Sequence, residues 1–128
     1  MNTREMVNYW IRSSNEDLKT ATGLFRLMRY PHCLFFCHLF VEKIIKALVV
    51  KGTGHPAPYG HKLSKLARLT KIDFSDKQLD LLDELTAFNI EARYDDYKFQ
   101  FYRKATKKYT QIYLKKAKDI YLWLKKKI

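Results

Sequence analysis

The sequence predicts an all-α fold, an up-and-down bundle of four long helices plus one short helix, and three observations carry that expectation. Four long stretches place apolar residues at steps of three and four, the period of a single helix face. No stretch alternates apolar and polar residues over the length of a strand. Three of the four glycines and two of the three prolines fall in one segment, Gly52 to Gly60, so the main break in the chain is also its main loop.

The first helix is expected from about Arg4 to Arg29. Val7, Trp10, Ile11, Leu18, Ala21, Phe25 and Met28 recur at helical steps, and Asn2 with Glu5 has the spacing of a capping box. Tyr30-Pro31 ends it, because proline disfavours the helical conformation at the preceding residue. A second helix then runs from about His32 to Lys51, apolar on nearly all sides at its start, which places it at the centre of the bundle. Gly52 is the expected left-handed stop. A short helix is expected from His61 to Thr70 on Leu63, Leu66, Ala67 and Leu69. Ser75 and Gln78 form a second capping box, opening a helix to about Arg93 on Leu79, Leu82, Leu85, Thr86 and Asn89. After a connection from Arg93 to Gln100, the last helix spans about Arg103 to Lys127, with Ala105, Tyr109, Ile112, Tyr113, Ala117, Ile120, Trp123 and Leu124 as its apolar stripe.

A chain of 128 residues forms one domain, 1–128, large enough to bury a core without covalent staples. Cys33 and Cys37 lie one helical turn apart near His32 and His38, but neither spacing is that of a zinc site, so buried reduced thiols and no metal or cofactor are expected. The glycine-rich loop follows a helix and lacks the fingerprint of a phosphate-binding loop. The most apolar run, Leu34 to Val41, is interrupted by His38 and followed by Glu42 and Lys43, which excludes a membrane span. The N-terminus has no signal-peptide pattern, and a cytoplasmic location is expected. Basic residues exceed acidic ones by twelve, and from Arg103 to Ile128 there are ten of them against one acid, Asp119. That segment forms either a face for polyanions or a solvated face serving solubility.

The stretch Asn89-Ile90-Glu91-Ala92-Arg93-Tyr94-Asp95-Asp96-Tyr97 concentrates the chemistry. Asn89 points inward on the helical period, and Arg93 at the helix end can fork onto a phosphate while Tyr94 and Tyr97 supply stacking surface. The alternative is a structural clamp, with Arg93 paired to Glu91, Asp95 or Asp96. Glu42 and Lys43 either line a cleft or mark its solvent side, the second being expected. His61, opening the short helix, reads as a capping or loop-packing residue ahead of a catalytic one.

Trp10, Asp17-Leu18-Lys19-x-Ala21, Tyr30-Pro31-His32, Phe36, Val41-Glu42-Lys43-x-x-Lys46-Ala47-Leu48, His61-Lys62-Leu63, Ala92-Arg93-Tyr94 and Trp123-Leu124, taken in order, resemble the HEPN domain family (higher eukaryotes and prokaryotes nucleotide-binding). The resemblance spans the whole chain. It implies a two-fold homodimer, often paired with a minimal nucleotidyltransferase as a toxin-antitoxin-type module, binding nucleotide or RNA. In the family's ribonuclease branch an arginine is followed four to six residues later by a histidine, and two subunits pool both residues in a cleft. Arg93 matches the arginine and is the candidate catalytic residue, but Lys98, Phe99 and Gln100 stand where the histidine would be. Lysine and tyrosine side chains titrate near about pH 10, so neither Lys98 nor Tyr97 replaces a base that works at neutral pH. The position of the tyrosine modified in some relatives is occupied by Gln100, between Tyr97 and Tyr102. The expected role is phosphate binding through Asn89, Arg93, Tyr94, Asp95, Tyr97 and Lys98. A metal-independent ribonuclease toxin with a displaced general base is the alternative, and an interaction module with a structural Arg93 is a third.

Overall fold

Two helix starts are written in the sequence as reciprocal caps. Asn2 accepts the Glu5 amide at 2.8 Å, and Ser75 accepts the Gln78 amide at 3.1 Å, while the Glu5 and Gln78 side chains each reach back to the amide of the capping residue. The computed structural model describes residues 1–128. Its helices are α1 (Thr3–Arg26), α2 (Tyr30–Thr53), α3 (Leu63–Arg68), α4 (Asp76–Glu91), α5 (Gln100–Lys104) and α6 (Lys107–Lys125), and there is no strand. Ser75→Ala is expected to destabilise the protein by about 1 kcal/mol, read as a shift in urea midpoint.

α2 is the axis of the bundle. It packs on α1, α6, α4 and α3, and from Cys37 to Val50 every residue except Leu39 and Lys43 is buried, including the polar His38, Glu42 and Lys46. α1 approaches it closely because the fully buried positions at its middle and end, Ser14 and Ala21, are small and lie two turns apart on one face. The Ser14 hydroxyl donates to the Ile11 carbonyl at 2.8 Å and lies 3.4 Å from the hydroxyl of the buried Tyr121 on α6. Cys33 and Cys37 are free, buried thiols, and desolvation raises the Cys37 pKa well above its ordinary value. No helix is long and apolar enough to cross a membrane.

Several boundaries differ from the sequence expectation. Met28 is not on the α1 stripe; it lies beyond the helix with φ 60° and is largely exposed. The left-handed stop after α2 is Gly54, φ 72°, because the helix continues through Gly52 and Thr53. The single helix expected from Arg103 starts at Lys107, capped by the Thr106 hydroxyl, and the short α5 precedes it. The core face of α6 is Thr110, Leu114, Ala117, Ile120, Tyr121 and Leu124, which leaves Ile112 exposed.

Candidate functional site

Arg93 follows the last turn of α4. Its Nε donates to the Asn89 carbonyl at 2.9 Å, and its guanidinium carbon lies 5.6 Å from the Phe35 ring and 5.1 Å from the Tyr94 ring. The terminal nitrogens have no protein partner, and no carboxylate forms an ion pair with Arg93. Two nearby acids are instead engaged by the backbone. Asp95 accepts the amides of Asp96, Phe101 and Tyr102 at 2.9 to 3.1 Å, and Asp96 accepts that of Gln100 at 3.1 Å, so both organise the start of α5. Desolvation pushes the Asp95 carboxyl up, but the three amides from Phe101, Tyr102 and Asp96 together outweigh it and hold the carboxyl below its ordinary range. Asn89 is buried as its helical position predicts, and its main-chain carbonyl is what orients Arg93. Tyr94 and Tyr97 are exposed, and the Lys98 ammonium lies 5.8 Å from the Tyr97 ring centre.

A second set of groups adjoins this one on α2. His38, Glu42 and Lys46 stand four residues apart and share one face of the helix. Glu42 is buried, contrary to the expected solvent side; its Oε2 accepts from Lys46 Nζ at 3.0 Å and its Oε1 from His61 Nδ1 at 2.8 Å. Lys43 does turn outward, to Asp17 at 2.7 Å and Ser13 at 2.8 Å on α1. His61 does not cap α3, whose first amide, that of Leu63, is accepted by Thr86 on α4 at 3.1 Å. The His61 carbonyl accepts from His38 Nε2 at 3.0 Å, so both the main chain and the ring of His61 are tied to α2.

Burial lowers the His38 pKa, outweighing the opposing effects of the His61 carbonyl and Glu42; the charges of His61 and Arg93 lower it further. His38 is therefore neutral, with its proton on Nε2, and its 3.3 Å approach to Glu42 is a dipolar contact and not an ion pair. Its buried Nδ1 has no partner. Because folding depresses this pKa, the unfolded chain binds the proton more readily, and stability is lost as pH falls below the unfolded value of 6.5. His38→Gln retains an N–H for the His61 carbonyl and cannot titrate. Its Tm is expected to fall less steeply than that of the wild type between about pH 6.5 and pH 5.

His38, Glu42 and His61 bring one potential ligand atom each within 4.8 Å. The Lys46 ammonium on the same carboxylate would oppose the charge of a cation there, and the histidine contacts already engage the remaining oxygen. Both features disfavour a cation at this cluster. Another surface depression is an open trough between α4 and α6, lined by Gln78, Leu81, Glu84, Lys116, Ile120 and Trp123. It starts at Ser75, at the end of α4 remote from Arg93, and carries both signs of charge without converging donors.

The site thus joins, in a helical bundle, an exposed arginine without an acidic partner to a buried acid and two histidines. The HEPN domain model matches residues 7–128, and the chain belongs to that family. Its fold is similar to that in the crystal structure of TT1696 from Thermus thermophilus, with a TM-score of 0.85, 20% sequence identity and 100% of both chains covered. No curated protein matches the chain at the sequence level. Membership of the family carries a nucleotide- or RNA-related role.

Proposed function

We propose that this protein binds the phosphate of a nucleotide or RNA at a cleft centred on Arg93, and that it acts as a homodimeric partner of a nucleotidyltransferase in a toxin-antitoxin-type pair. The observation that carries the binding role is the guanidinium itself: Asn89 and Phe35 fix its direction, and its terminal N–H groups remain available for a bidentate anion. Asp95 and Asp96 shape the adjoining loop without neutralising it. Tyr94 and Tyr97 offer faces for a base, and Lys98 adds charge at the rim.

Support for the dimer comes from the apolar surface beside this loop. Phe99 and Tyr102 are in ring contact, Tyr102 and Met28 line one shallow hollow, and all three are exposed. Sedimentation equilibrium is expected to give a dimer, and a monomer at every concentration would overturn that part. Titration of labelled ATP and short RNA against wild type and Arg93→Ala tests the binding role. Co-purification with a cognate transferase tests the partnership, and an intact-mass shift after coexpression that Tyr97→Phe or Tyr102→Phe abolishes would place modification on that tyrosine.

A further inference from the structure

The trough between α4 and α6 has the dimensions of a seat for a helix. Both helices pack on α2 more than on each other, which leaves a furrow between them. Its ends are closed by contacts across the gap: Phe74, just before α4, meets Trp123 edge-on at 5.5 Å, and Tyr113 donates to Glu84. Leu81, Ile120 and Trp123 supply its apolar surface. The lining runs from Ser75 to Glu84 and from Lys116 to Trp123, about 13.5 Å of one helix and about 10.5 Å of the other. Apolar side chains at i, i+4 and i+7 of a docked helix extend over about 10.5 Å, so three of them fill the trough. At about 710 Å³ it has the size of a small-molecule pocket, but it is open along its length and would leave such a ligand in water.

Charge selects the occupant. The chain has a net charge of +12, yet α4 carries five acids and one base, Lys77. Asp76, Asp80 and Glu84 recur at four-residue steps and so share one edge of that helix. Asp80 and Glu84 line the trough, and neither forms an ion pair. On the α6 side Asp119 is engaged by Lys115 at 2.8 Å, which leaves Lys116 as the cation there. The α4 wall repels a polyphosphate chain and attracts a basic edge. We propose that the trough docks an amphipathic helix of a different protein, its apolar face on Leu81, Ile120 and Trp123 and an arginine- or lysine-bearing edge along Asp80 and Glu84. A second copy of this chain does not supply that helix. Its largely exposed apolar residues stand alone on α1 (Tyr9), α4 (Ile90) and α5 (Tyr102), and the two on α6, Ile112 and Leu122, are ten residues apart. The trough shares no residue with the Arg93 site, so the two can be occupied together.

The test adds stapled helical peptides of about fourteen residues, long enough to cover the trough, to the ¹⁵N-labelled full chain. Each carries leucine at i, i+4 and i+7; one has arginine along both flanks of the leucine stripe and the other has glutamate. The arginine peptide is expected to shift the Trp123 indole and the amides of Gln78 and Leu81, and to leave those of Arg93 and Tyr94 unmoved. The glutamate peptide should bind about 10-fold more weakly. Asp80→Lys, at an exposed position, should weaken the arginine peptide by a similar factor and strengthen the glutamate one. Shifts that ignore the flanking charge, or none at the trough at about 1 mM peptide, overturn the proposal. So does a short RNA that shifts the same resonances, or sedimentation in which Asp80→Lys abolishes a self-association of the chain, since either result names another occupant.

Discussion

Glu42→Ala is expected to destabilise the protein by about 3–5 kcal/mol, a large share of the roughly 5–15 kcal/mol that holds a domain of this kind together. Lys46 is the reason. Its ammonium is buried, and once Glu42 is removed its nearest compensation is the Trp10 ring face, 5.2 Å away. The same change releases the His61 ring, which loosens the loop ahead of α3. A surface ion pair would contribute far less, but both side chains are more than nine-tenths shielded from water, so solvent screens neither. Removing both charges at once should largely reverse the loss: Glu42→Leu with Lys46→Met leaves no unpaired buried ion and fills similar volume. Urea denaturation of the wild type, the single variant and the double variant checks this. A single-variant cost under about 1 kcal/mol would mean that water reaches Lys46 and that the buried network is not what holds α2 to the loop.

The bundle was legible in the sequence where periodicity and capping agree. Asn2 with Glu5 and Ser75 with Gln78 marked their helix starts, and the near-continuous apolar run after Pro31 identified the central helix. Two things escaped. α5 has five residues, too few to express a period, and its start is held by Asp95, whose carboxylate reaches amides six and seven positions ahead. Phe99 also enters α5 in the left-handed region, φ 53°, where propensity places glycine or asparagine first. The expected solvent role of Glu42 failed for a different reason: its partner His61 is nineteen residues away across the main loop, and no local pattern reports such a contact. A signal was nonetheless present, since His38, Glu42 and Lys46 recur at four-residue steps and form a polar line on a helix that is otherwise apolar. Arg93 stands out in the sequence because it lies at a helix end among aromatic residues. What local sequence left open was whether its acidic neighbours would claim it, and the fold resolves that by turning Asp95 and Asp96 toward backbone amides.

Arg93→Ala is expected to weaken binding of ATP or a short RNA by about 10- to 100-fold, the loss of a charge-assisted hydrogen bond of roughly 1.5–3 kcal/mol. Arg93→Lys separates charge from geometry. A lysine at this position keeps one positive charge but has no planar fork to accept two phosphate oxygens, and it cannot donate from a fixed Nε to the Asn89 carbonyl while still facing the ligand. The slope of log affinity against log salt concentration should therefore fall by about 0.7 in Arg93→Ala on single-stranded RNA. It should stay near the wild-type value in Arg93→Lys even as affinity drops. Folding should be little changed in either variant, because the guanidinium lies on the surface of Phe35 and Tyr94 and completes no buried pair. Equal affinity and equal salt slope for all three proteins would remove Arg93 from the site. A slope that falls as far in the lysine variant as in the alanine variant would show that the arginine acts by holding the α4–α5 loop, with the phosphate bound by other cations.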